Sequence, residues 1–188
     1  MKLIPSLFIF ISIQCCIAQT NIATENFISG TREKYVRQEL NSETQYFRML
    51  IPLAKAASAT KTVELKAKKT HSNRNSRFLD RNQMVGFYAF EYANKKACKQ
   101  SVDSLLKCFP NFCVTIENGT PAEGQFTPSV YIINNKEIYC IETYCEDVNE
   151  QWEEMKKKFI DTFATNASIL IVTSCGKLEW TSKEKLVH

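Results

Sequence analysis

The sequence predicts an α+β fold, a β-α-β-β-α-β core behind an N-terminal helical arm. Three patterns carry this expectation. Ser129 to Ile133 and Glu137 to Thr143 are apolar, β-branched and aromatic runs on either side of Asn134-Asn135, residues that tolerate the positive φ of a tight turn, so they read as a hairpin. Apolar residues recur at helical spacing in two stretches, as Cys98, Val102, Leu105 and Phe109 and as Val148, Trp152, Met155, Phe159 and Phe163. Strand-like runs, Met84 to Tyr92 and Ser168 to Ser174, precede the first stretch and follow the second.

Taken in order, Thr24 to Ser58 reads as helical, with Phe27, Tyr35, Leu40, Phe47, Leu50 and Leu53 loosely spaced and Pro52 breaking or kinking the run. Lys61 to Arg81 carries Lys61, Lys66, Lys68, Lys69, Arg74, Arg77 and Arg81 against Glu64 and Asp80. A stretch so charged buries little and reads as a solvated linker. The strand from Met84 is followed by a helix from Lys95 that Pro110 stops. Phe112 to Glu117 is either loop or a fifth, edge strand, and Asn118-Gly119-Thr120-Pro121 marks a turn. In the second hairpin strand Ile138, Cys140 and Glu142 share one face. Asp147 caps the last helix, with Glu150 as its capping-box partner, and Lys156, Lys157 and Lys158 lie toward its C-terminal half. The last strand ends at Cys175-Gly176, and Trp180 falls in the polar tail.

This order is the split βαβ arrangement of ferredoxin-like folds, a four-stranded antiparallel sheet with two helices on one face. The expected divisions are a signal peptide (1–18), a helical arm (19–60), a basic linker (61–83), a ferredoxin-like domain (84–180) and a C-terminal tail (181–188).

Export is expected from the N-terminus. Lys2, an apolar run from Leu3 to Ile13 and Cys16-Ile17-Ala18 follow the charged, apolar and small-residue order of a cleavable signal, cut after Ala18. The run is too short to span a bilayer. The product is secreted or periplasmic, the alternative being a lipoprotein anchored through Cys15 or Cys16. Of 8 cysteines, cleavage removes Cys15 and Cys16 and leaves six, which an oxidising compartment favours as disulfides. The favoured pairs are Cys108 with Cys113, bracketing Pro110, and Cys145 with Cys175, flanking the last helix and strand. Cys98 and Cys140 stay as buried thiols or form a third bridge. Asn118 and Asn166 begin sequons that are glycosylated only in a eukaryotic source.

No catalytic residue, metal site or cofactor is expected. The histidines are His71 and His188 and no CxxC occurs, so neither a zinc site nor a histidine triad is well supplied. Glu150, Glu153 and Glu154 read as the solvated side of their helix. The strand Gly86 to Tyr92, Cys98 near a helix start and Thr127-Pro128 before a hairpin resemble the thioredoxin fold, although Lys95 stands where a CxxC would begin. That resemblance implies thiol-redox use of Cys98, whose thiolate a helix N-terminus would favour. The leading expectation is a non-enzymatic binding or structural protein whose basic linker meets a protein or an anionic surface such as a membrane or polysaccharide. The alternative is a thiol-redox or cysteine-metal protein. No nucleic-acid partner is expected: loss of Lys2 takes the net charge from +4 to +3, a mild excess that argues neither way, and the basic stretch lacks interleaved aromatics for base stacking.

Overall fold

A computed structural model describes residues 22–39, 50–71, 81–109 and 115–182. The expected signal peptide, with Cys15 and Cys16, lies outside these residues. In chain order the elements are α1 (22–29), β1 (Tyr35–Glu39), α2 (Ile51–Ala54), β2 (Ala59–His71), β3 (Arg81–Glu91), α3 (Lys95–Lys107), β4 (Ala122–Glu123), β5 (Ser129–Ile133), β6 (Glu137–Thr143), a 3-10 turn (Cys145–Asp147), α4 (Glu150–Phe163), β7 (Ile169–Ser174) and β8 (Lys177–Thr181). The strands form one sheet of 8 in the order β1-β2-β3-β6-β5-β7-β8-β4, and every pairing is antiparallel.

The ferredoxin-like expectation is overturned by the edge on which the last strand docks. A split βαβ sheet would place β7 beside β3, but β2 occupies that edge, and β7 pairs with β5 instead. Both crossovers, β3 to β5 through α3 and β6 to β7 through α4, therefore step across the sheet in the same direction. Since β3 and β6 run antiparallel, right-handed crossovers put the two helices on opposite faces. The burial follows this geometry. Phe27 and Ile28 of α1 with Trp152, Met155, Phe159 and Phe163 of α4 cover one face, against Val63, Phe87, Tyr139 and Ile141. Leu53 of α2 with Cys98, Val102 and Leu105 of α3 cover the other, against Phe90, Tyr131, Ile138 and Ile171. Strands buried on both sides read as nearly unbroken apolar runs, as β5 and β6 do.

The helical arm and basic linker are corrected as well. Residues 22–39 are not a free arm: α1 packs on the sheet, and the chain then turns into edge strand β1, where Tyr35 is buried. Pro52 stands in the first turn of α2, where its missing N–H costs no hydrogen bond. Of the residues expected as linker, 61–71 belong to β2 and 81–83 to the start of β3, while 72–80 lie outside the described residues. Val63, Leu65 and Ala67 point into the core while Lys66 and Lys68 point out, so a strand period of two was hidden beneath the charge.

Local chemistry closes the remaining elements. Asn94 caps α3 by accepting from the Ala97 N–H at 2.9 Å. Asn149, not Asp147, caps α4, accepting from the Trp152 N–H at 3.1 Å, while the Asp147 carboxylate accepts from the Met84 N–H. Cys175-Gly176 joins β7 to β8 with Gly176 at φ 105°, a conformation that favours glycine. Trp180 thus belongs to β8 rather than to a tail. Of the segment expected as a fifth strand, 110–114 lie outside the described residues and 115–117 carry no strand.

Candidate functional site

Cys145 and Cys175 follow the ends of β6 and β7 and are joined by a disulfide across a sequence separation of 30. Cys108, at the end of α3, is disulfide-bonded, and its expected partner Cys113 lies outside the described residues. Cys98 and Cys140 are free and buried on the same face of the sheet. Burial pushes the Cys98 thiol up to about 11, with the Glu137 charge adding to the effect, and burial also pushes Cys140 well up. A helix start does not rescue a thiolate there, because Cys98 sits inside the first turn with its Sγ on the Asn134 carbonyl at 3.5 Å. The all-antiparallel sheet removes the resemblance to thioredoxin too. Thiols held neutral, and sulfurs already paired, are poor metal ligands.

The two sequons occupy exposed turns. Asn118 stands beside Gly119, which has φ 81°, in a turn closed from the Thr120 N–H to the Glu117 carbonyl. Asn166 follows α4, and the hydroxyl of its sequon partner Ser168 is turned inward to Asn134.

Two further features have functional chemistry. The first is a polar row across the face covered by α2 and α3. Register places Glu64, Gly86, Glu142, Ser129 and Thr173 side by side on β2, β3, β6, β5 and β7. Glu142 is 1% exposed, and the Tyr88 hydroxyl donates to its Oε1 at 2.7 Å. Gly86 makes this bond possible: a Cβ there would lie 2.6 Å from the Tyr88 Oη. Burial raises the Glu142 carboxyl from its ordinary value to about 7, against the pull of the Tyr88 hydrogen bond. Ser129 and Thr173 share a hydroxyl hydrogen bond, and Thr173 also donates to the Thr127 carbonyl. Glu142, Ser129 and Thr173 are all buried, so the row does its work on stability and proton uptake. Sequence reasoning missed Glu142 and Tyr88 as partners, although a lone glycine inside an aromatic strand signals a close approach.

The second feature is the end of the β2–β3 hairpin. Lys66 pairs with Met84 and Thr70 with Asn82, so residues 67–69 bulge opposite Gln83. The bulge is anchored. Asn82 donates to the Ala67 carbonyl at 2.6 Å, and the Lys68 N–H donates to the Lys34 carbonyl at 2.8 Å. Buried Gln83 links the Tyr35 hydroxyl to the Asp147 carbonyl. On this fixed backbone Lys66, Lys68 and Lys69 are exposed, and Lys68 and Lys69 make no ion pair among the described residues. Lys61 is paired with Glu25, and Arg74 and Arg77 lie outside the described residues.

Among the described residues no helix is long and apolar enough to cross a membrane. Comparison with protein-family models, with curated proteins and with solved structures found no match to this chain.

Proposed function

We propose that the chain is an exported, non-enzymatic binding module that engages a sulfated polysaccharide through the end of its β2–β3 hairpin. The anchored bulge carries this reading, because it holds Lys66, Lys68 and Lys69 exposed along a rigid backbone. Cations carried on an anchored backbone stay close together, so an extended polyanion can satisfy several at once without ordering the main chain. The disulfides support export, since such bonds persist in oxidising compartments. The buried row supports a non-enzymatic role, since its acid has no open path to a substrate.

Immobilised heparin tests the reading. Wild type should be retained at about 0.15 M salt, where charges are screened beyond about 8 Å. The triple variant Lys66→Gln, Lys68→Gln, Lys69→Gln should run through. Removing equal charge from α3 by Lys95→Gln, Lys96→Gln and Lys99→Gln should leave retention intact. Coelution of the hairpin variant with wild type would sink the proposal.

A further inference from the structure

Asn118-Gly119 is the only Asn-Gly pair in the sequence, and the fold leaves it unprotected. Both residues are exposed in the turn ahead of β4. Among the described residues the Asn118 amide has no hydrogen-bond partner and the Gly119 N–H donates to no acceptor. A Cβ at Gly119 would meet nothing within 4 Å, so nothing packs on the turn from that side, and a glycine there keeps the backbone free to rotate. Several other asparagines are held. Asn82 donates to the Ala67 carbonyl, Asn94 and Asn149 cap helices, and Asn134 bridges the Phe163 carbonyl and the Ser168 hydroxyl. Asn135 and Asn166 are exposed but precede Lys136 and Ala167, whose side chains crowd the backbone nitrogen that Gly119 leaves open.

We infer that Asn118 is a site of spontaneous modification, at which the chain converts its own side-chain amide to aspartate and isoaspartate. The Gly119 nitrogen gives up its proton and bonds to the Asn118 Cγ. The Cγ–Nδ2 bond breaks, Nδ2 leaves as ammonia with that proton, and the backbone closes into a cyclic imide. Water then opens the imide at either carbonyl, so water enters, ammonia departs and nothing is oxidised or reduced. Opening at Cγ leaves aspartate on an unchanged main chain, whereas opening at the α-carbonyl routes the main chain through Cγ as isoaspartate. Both products bring an anion to the turn. The second also inserts a methylene just before Gly119 and Thr120, and the Thr120 carbonyl accepts from the Trp180 indole N–H at 2.9 Å, tying the turn to β8. Isoaspartate therefore loosens that tie. A sugar at the Asn118 sequon would bond to the same Nδ2, so glycosylation and this reaction compete for one atom. The site is independent of the basic hairpin, and either can exist without the other.

The test is prolonged incubation of the full chain at neutral pH in heavy-oxygen water, the protein being made by export to a bacterial periplasm, where disulfides form and the sequon carries no sugar. Peptide mass should show the oxygen label entering at Asn118 before any other described asparagine, and enzymatic isoaspartyl methylation should mark the same peptide. The native chain should convert within about tenfold of the rate in urea, a barrier difference under about 1.4 kcal/mol. Asn118→Gln, a change at an exposed position that makes ring closure slow, should abolish both signals. The Trp180 indole proton resonance should shift in step with the isoaspartyl fraction and stay fixed in the variant. Earlier conversion of another described asparagine, a native rate more than about tenfold below that in urea, label entry that survives Asn118→Gln, or an indole resonance that ignores isoaspartate would each overturn the inference.

Discussion

Glu142→Gln separates the proton from the shape at the centre of the sheet. The carboxyl has an ordinary value of 4.5 and is raised by burial to about 7 in the folded chain. Between those values the folded state holds a proton that the unfolded state has released, so stability is full below the lower value and falls as pH rises through the window. The difference of about 2.5 units corresponds to about 3 kcal/mol at 1.36 kcal/mol per unit. With a urea dependence of about 1–3 kcal/mol per molar, the midpoint should drop by about 1–3 M between about pH 4.5 and pH 7.5. The groups facing Glu142 do not reverse the sign. Burial raises Tyr131 and Cys140 as well, keeping both neutral in this range, and burial raises Glu64 in the same direction as Glu142. Glu25, whose value the Lys61 hydrogen bond lowers, contributes stability that is lost only as pH falls below the window. Glutamine keeps an acceptor for the Tyr88 hydroxyl and cannot ionise. The variant should match wild type near pH 4 and exceed it by about 3 kcal/mol above pH 7, with little slope between. A wild-type midpoint that does not move across the window, or a glutamine variant that keeps the slope, would refute the reasoning.

Three other outcomes are expected. Cys145→Ala with Cys175→Ala opens a loop with a sequence separation of 30 and should cost about 3–4 kcal/mol in urea unfolding, whereas an unchanged midpoint would show that the bridge adds nothing. Gly86→Ala brings a methyl group to 2.6 Å from the Tyr88 Oη, and because Tyr88 is fully buried its ring has no free space to swing into. That change should cost about 1–3 kcal/mol and steepen the pH slope by loosening Glu142 from its donor, and a stable variant with wild-type slope would contradict it. Iodoacetamide should leave Cys98 and Cys140 unlabelled in the native protein at neutral pH and modify both after denaturation without reductant, as read by peptide mass; rapid native labelling of either would contradict their burial.

The sequence revealed elements where periodicity was strong and hid them where charge masked it. The hairpin strands Ser129–Ile133 and Glu137–Thr143 form as expected, and α3 and α4 follow their apolar stripes, except that Val148 lies exposed ahead of α4. Lys66, Lys68 and Lys69 made β2 look like linker, although Val63, Leu65 and Ala67 beneath them supply the inward face. Missing that strand misplaced everything after it, because β2 fills the edge of β3 on which the final strand was expected. Local pattern identifies a strand but not its neighbour, since pairing is decided by whichever element reaches an edge first and buries most there. The same limit applies to the sites. Thr120 and Trp180 lie 60 residues apart in the chain, and only the pairing of β4 with β8 brings the turn against the indole. Gly86 was visible as an oddity, but what it admits, Tyr88 against Glu142, depends on the β3–β6 register.

The bridge between Cys145 and Cys175 also decides how the molecule carries mechanical load. A chain pulled from its two ends would transmit force through the sulfur atoms and bypass the enclosed segment, leaving about 100 Å of contour slack at about 3.4 Å per residue. That sheltered segment contains all of α4, with Phe159, Phe163 and the Lys158 ammonium. Stretching would peel α1 and β1 away from a helix that bears no tension, so the covalent loop shields α4 and β7, but not β6, from the applied force.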